Sequence, residues 1–196
     1  MIVWINGAFG AGKSQTAYEL QRRVPGSFVY DPENAGYFIQ KNLPKSVRKD
    51  DFQHYPMWRE MNYSMLNHLN GSFDGLIIAP MTIADKHYFQ EIVGRLREDG
   101  VTVHHFALCA SPDTIRKRLR KRGERSGCWA ERQIERCLEG LADPVFREHV
   151  DTDDMTVSGQ VEYIASRMNV DLMPDRRGAV KKTVDRVITQ VKQIRF

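Results

Sequence analysis

The chain has 196 residues, 41% hydrophobic and 28% charged, with a net charge of +4. Those proportions suit one globular domain with a small appendage and exclude a fibrous or disordered protein. A chain of this length buries a full core without cross-links. The cysteines Cys109, Cys128 and Cys137 form no CxxC pair, so reduced thiols in a cytosolic, cytoplasmic protein are expected and a metal site built from them is not. A glycine turn interrupts the apolar opening, which argues against a signal peptide, and no stretch reaches the length of a membrane span.

Ile2–Asn6 reads as a buried strand and Lys13–Val24 as a helix that stops before Pro25-Gly26. Ser27–Tyr30 is a short second strand. A long helical region rich in rings follows, with a stripe at Met57, Trp58, Met61 and Met65 that suits a core face. Leu76–Pro80 is a third strand, Tyr88–Leu96 a helix and Val101–Leu108 a fourth strand. Ser111 caps a helix that starts at Pro112, and another begins near Trp129. A short fifth strand near His149–Thr152 leads to a helix over Gln160–Met168. Alternation of this kind predicts a five-stranded parallel sheet with helices on both faces. The polar stretch NVDLMPDRRG then separates residues 1–170 from a closing helix, Ala179–Ile194, so that 171–196 form an appendage.

Directly behind the first strand, Gly7-Ala8-Phe9-Gly10-Ala11-Gly12-Lys13-Ser14 fits GxxxxGK[ST]. Backbone N–H groups in such a turn wrap phosphate oxygens, and the helix beginning at Lys13 aims its N-terminus at the anion. Lys13 reaches the outer phosphates and Ser14 can ligate Mg²⁺. Gly7 through Ser14, with Gln15 beside them, are therefore the expected ATP site, in a three-layer α/β P-loop NTPase fold. The alternative is a glycine turn that only packs a strand against a helix.

Asp31 and Glu33 follow the second strand, where ligands of open α/β sheets lie. Asp31 can hold a Mg²⁺-bound water or take a proton from an acceptor hydroxyl, and Glu33 can contact the acceptor. The competing reading is a turn nucleated by Asp-Pro. The segment from Arg116 to Arg136 carries nine basic residues: Arg116, Lys117, Arg118, Arg120, Lys121, Arg122, Arg125, Arg132 and Arg136. Phosphoryl transfer needs cations around the moving group and a flap that excludes water. Residues 118–132 are the expected lid. Arg118-Leu119-x-x-Arg122 resembles the lid base of nucleotide kinases, which implies Arg118 on the adenine and Arg122 on the phosphates. A solvated face or a nucleic-acid patch would carry the same charge. Between residues 34 and 69 lie Tyr37, Phe38, Phe52, Tyr55, Trp58 and Tyr63, with Asp50, Asp51, His54 and Arg59. Rings and polar pairs suit a nucleoside or sugar acceptor, with Arg59 a candidate contact. No chemistry is expected of His87, His149 or at least one of His104 and His105. In the last helix Val180, Val184, Val187, Ile188, Val191 and Ile194 share helical spacing, with Lys181, Lys182, Arg186, Lys192 and Arg195 at other positions. Docking on the domain's own core is expected, with a peripheral contact to an anionic membrane as the alternative.

The opening IVWINGAFGAGKSQTAYEL resembles the P-loop of the tunicamycin-resistance protein family. The resemblance continues through VYDPE, DDFQHYPMWR, PMTI, GRLREDG, VHHFAL, RCLEG, DTDDMTV and PDRRG. It implies an ATP-binding protein of the nucleoside and nucleotide kinase-like group that confers resistance to tunicamycin, a uridine-containing lipidated glycoside. The third strand ends in Pro80-Met81-Thr82 and lacks the Walker-B aspartate. Two readings follow: phosphorylation of the drug or a related nucleoside glycoside, with Lys13, Arg122 and Asp31 catalytic, or ATP-dependent sequestration. A polynucleotide kinase is the third, and nucleic acid is not the expected partner because the basic charge is local.

Overall fold

The computed structural model describes the backbone of residues 1–193, and all side chains there except those of Ala179 and residues 190–193. Five strands form one parallel sheet: β1 (Ile2–Gly7), β2 (Phe28–Val29), β3 (Ile77–Pro80), β4 (Val103–Cys109) and β5 (His149–Asp151), in the spatial order β2-β3-β1-β4-β5. β1 lies at the centre. Ile2 pairs with Ile77 on one side and Val103 on the other, and Gly7 lies opposite Leu108. All six β1 residues are buried, as a strand covered on both faces requires.

Alternate β1 residues supply opposite faces, since strand side chains alternate. Ile2 and Trp4 pack with α3 (Pro56–Ser72), α4 (Lys86–Phe89) and α5 (Arg95–Glu98). Val3 and Ile5 pack with α1 (Lys13–Arg23) and α9 (Val157–Met168). A third cluster joins Ala8 to Ile115 and Leu119 of α6 (Pro112–Lys121) and to Ile134 and Cys137 of α8 (Ile134–Leu141). The sheet with helix layers on both faces is therefore the three-layer α/β fold expected.

Several boundaries differ from the expectation for physical reasons. The aromatic region is not one helix. It splits into α2 (Glu33–Lys41), two single 3₁₀ turns and α3. On α3 the buried face is Trp58, Arg59, Asn62 and Leu66, so Met57 and Met65 of the expected core stripe are exposed. The helix placed at Tyr88–Leu96 starts at Lys86, because the Asp85 carboxylate accepts from the N–H groups of His87 and Tyr88. It continues through a π-helical turn, Gln90–Gly94, to Glu98. α9 starts three residues before the expected Gln160, where Thr156 accepts from the Gly159 N–H.

The closing helix, α10 (Ala179–Gln193), lies beside α1, but not through its valines. Val180 is 79% exposed, Val184 49%, Val187 51% and Ile188 47%. Polar contacts hold it instead, so the expected apolar docking on the core is corrected. The expected Val191 and Lys192 side chains and residues Ile194 and Arg195 lie outside what is described. Among the described residues, no helix is long and apolar enough to cross a membrane.

Candidate active site

The glycine turn lies at the C-terminal end of β1, beside the point where the chain turns from one half of the sheet to the other. Gly7 has φ +143°, and a Cβ there would stand 2.7 Å from the Leu108 carbonyl oxygen. Gly12 precedes α1 with φ +108°, a left-handed entry that other residues strain to adopt. Asn6 fixes the turn from below. Its Oδ1 accepts from the N–H groups of Gly7 and Ile83, and its Nδ2 donates to the Ile83 carbonyl. The Thr82 hydroxyl donates to the Gly7 carbonyl at 2.8 Å. The end of β3, where a Walker-B acid would follow, is thus committed to holding the loop.

Lys13 points back into this turn. Its ammonium donates to the Ala8 carbonyl at 3.1 Å and lies 5.4 Å from the Phe9 ring centroid. It is buried, and burial pushes its pKa down to about 8 against the opposing charge of Glu33. Asp31 acts in the same sense as Glu33, and Arg122 in the opposite one. Among the described residues the ammonium has that one hydrogen bond, so a buried cation is matched by a carbonyl, a ring and more distant carboxylates. Anionic oxygens complete such an arrangement, and the residues present fit a polyphosphate. Ser14 follows in the first turn of α1. Among the described residues, no three His, Cys, Asp or Glu gather to hold an ion.

A cleft of about 490 Å³ opens from the loop. Gly12, Lys13, Ser14 and Arg122 form one end of it. The other end is Glu33, Tyr37 and Gln40 of α2, then Asp50, Asp51, Phe52 and Gln53. Trp129 also lines the cleft, edge-on to Phe9 with centroids 4.7 Å apart. Burial lowers the pKa of Arg122, with Glu124 opposing.

The expected site residues are placed in four ways. Phe9, Gly10, Gly12, Lys13, Ser14, Glu33 and Arg122 meet in the cleft. Asp31 is buried and is not among the residues that line the cleft, and its Oδ1 accepts from the Glu33 N–H at the start of α2. Arg118 braces the loop from behind: it donates to the Ala11 carbonyl at 3.2 Å and the Thr152 carbonyl at 2.6 Å. Arg59 is not in the cleft. It pairs with Glu91 at 2.6 Å, stacks on Tyr88 and donates to the Gln53 carbonyl, so it reaches the cleft only through Gln53. Residues 118–121 end α6, glycines at 123 and 127 have positive φ, and α7 (Trp129–Arg132) follows. Gln40, Gln53, Met81 and Trp129 line the cleft without having been singled out. Trp129 carried a signal as a large ring inside a basic segment, and Gln53 and Met81 lie in the stretches DDFQHYPMWR and PMTI.

The chain matches the AAA domain family over residues 2–144. It is 34% identical to the tunicamycin resistance protein of Deinococcus radiodurans, over 88% of this chain and 98% of that one, with a TM-score of 0.77. A gluconokinase from Sinorhizobium meliloti 1021 superposes with a TM-score of 0.60 at 15% identity, covering 85% of this chain and 90% of its own. A deoxyadenosine kinase from M. mycoides does so at 0.52 and 22%, covering 86% and 99%. These last two show a kinase-like fold and no more. Comparison with curated proteins found no match.

Proposed function

The chain belongs to the tunicamycin-resistance protein family, and we propose that it is an ATP-dependent kinase that phosphorylates tunicamycin or a related nucleoside glycoside. The observation that carries this reading is the cleft itself, with a buried lysine at one end and rings with carboxylates at the other. The backbone of Gly7–Ser14 with Lys13 holds the phosphates, and Gln15 and Arg118 lie alongside. Ser14 is the residue that would hold Mg²⁺, which, when bound, neutralises phosphate charge. Asp31 takes the acceptor proton as the new P–O bond forms and the β–γ bridge breaks, with ADP leaving. Lys13 and Arg122 hold the charge in transit. Glu33 orients the acceptor, and Arg59 positions Gln53. Residues 1–170 form the kinase unit, with 118–132 as its lid. A phosphate added to the drug would spoil its mimicry of an enzyme's substrate.

A second reading, sequestration of the drug with ATP closing the lid, draws on one observation. The end of β3 offers Thr82 to the loop and no carboxylate to a metal. The exposed valines of α10 and its cations would suit an anionic lipid surface in that case. Measuring ADP formed from ATP and Mg²⁺ with and without tunicamycin separates the two. Acceptor-dependent ADP that is lost in Lys13→Ala supports the kinase. Tight ATP-dependent drug binding without ADP overturns it.

A further inference from the structure

A buried imidazole lies one side chain away from the phosphate loop. His105 belongs to β4, which pairs with β1, and Nε2 of its ring stands 3.2 Å from the Asn6 Nδ2. On the far side of the ring, Nδ1 stands 3.0 Å from the main-chain carbonyl oxygen of Arg147. Phe89 meets the ring edge-on with centroids 4.7 Å apart, and Phe146 lies at 6.0 Å, so packing fixes the ring plane. Below the ring, the Glu148 N–H donates to the main-chain carbonyl of His105 and ties it to the start of β5.

These contacts leave one tautomer. A carbonyl oxygen only accepts, so Nδ1 carries the proton and donates to Arg147. An amide nitrogen only donates, so Nε2 is bare and accepts from Asn6. The rest of the Asn6 amide is already committed. Its Oδ1 takes the N–H groups of Gly7 at 2.8 Å and Ile83 at 2.9 Å, and Nδ2 gives one hydrogen to the Ile83 carbonyl at 2.8 Å. His105 takes the other hydrogen, so every donor and acceptor of the Asn6 amide is matched. Asn6 is fully buried, and a partner lost there is not replaced by solvent.

Burial also keeps the ring neutral. It pushes the His105 pKa down to about 4, the bond to the Arg147 carbonyl opposes it, and Arg97 and His149 act with burial. A protonated ring would set an N–H against the Asn6 amide hydrogens. A chain of three hydrogen bonds therefore runs from the Arg147 carbonyl through the neutral ring and Asn6 to the N–H of Gly7, the first residue of the loop.

We propose that His105 is a positioning residue for phosphate binding: through Asn6 it holds the loop backbone in the shape that receives phosphate oxygens. The inference rests on the ATP reading above, and goes beyond it by giving a residue outside both loop and cleft a share in nucleotide affinity.

Two substitutions separate the link to the loop from the link to Arg147. The amide of His105→Gln reaches the place of Nε2 and keeps an acceptor for Asn6. The shorter amide of His105→Asn stands where Nδ1 was, keeps the donor to Arg147 and leaves Asn6 unmatched. In calorimetry on the full chain with ATP and Mg²⁺, His105→Asn is expected to weaken ATP about tenfold, and His105→Gln to stay within about twofold of the unaltered protein. By NMR, exchange of the Gly7 and Ile83 amide hydrogens should quicken about tenfold in His105→Asn alone. Equal behaviour of the two variants, whether both bind normally or both bind weakly, overturns the proposal, since a packing role would not tell the two amides apart. The ring ¹⁵N signals of the unaltered protein at neutral pH should show the proton on Nδ1 and none on Nε2. A proton on Nε2 overturns the proposal whether or not the variants fold. If the unaltered protein binds no ATP, the ATP reading falls, while the tautomer and the Gly7 exchange still decide whether His105 holds the loop.

Discussion

The two ends of the central cleft are made by opposite means. The phosphate end is one continuous stretch, Gly7–Ser14, whose positive φ values and buried lysine follow from eight consecutive residues. The acceptor end is gathered from α2 and from residues 50–53. Its charge is acidic and its surface aromatic. The difference teaches that anion binding is local in sequence, since backbone N–H groups do most of it, while acceptor recognition depends on the packing of distant segments. Each end should therefore fail separately.

The largest effect is expected at the phosphate end. Lys13→Ala should reduce phosphotransfer by on the order of 10²–10³ and weaken ATP, with tunicamycin binding kept. Steady-state kinetics and calorimetry read both. Loss of drug binding as well would break the comparison. Next, Asp31→Asn should lower kcat about 10²-fold and leave the ATP Kd unchanged. The asparagine amide oxygen can still accept the Glu33 N–H, so the thermal midpoint should hold and the loss would report chemistry, not folding.

The acceptor end breaks through packing. A Cβ on Gly36 would meet the Phe52 ring at 2.4 Å, so Gly36→Ala must move that ring. The KM for the acceptor should rise about tenfold with the KM for ATP unaltered. A fourth test is pH. Lys13 titrates near 8 in the folded chain against an ordinary 10.5, so ATP affinity should fall as pH rises through 8. The burial cost of its charge is present in full below pH 8 and is relieved as pH rises towards 10.5, so stability should move the other way over that window. Lys13→Arg should abolish the pH dependence of binding, because guanidinium keeps its charge. The smallest effect is Trp129→Leu. Its edge-on contact with Phe9 is worth about 1 kcal/mol, or roughly fivefold in ATP affinity if the lid closes through it.

The sequence made the loop, α1 and the five strands legible, because glycine spacing and apolar runs are local signals. The strand order was not, since it depends on which strands pair across the sheet. Arg59 shows how residue type misleads without phase. It is the right chemistry for an acceptor contact, yet it shares the buried face of α3 with Trp58 and Asn62 and meets Glu91 and Tyr88. The closing helix was legible as a helix from its valines. Its docking was written instead in Asp175 and Arg177 of the preceding link, whose partners on α1 lie over 150 residues earlier. Gln40 carried no signal at all, because an amide becomes a wall only once the chain has folded around it.

The most direct measurement is the mass of tunicamycin recovered after incubation with the protein, ATP and Mg²⁺. The account predicts a gain of one phosphoryl group, absent with Lys13→Ala and strongly reduced with Asp31→Asn. Drug of unchanged mass that is nevertheless bound tightly in the presence of ATP would contradict it.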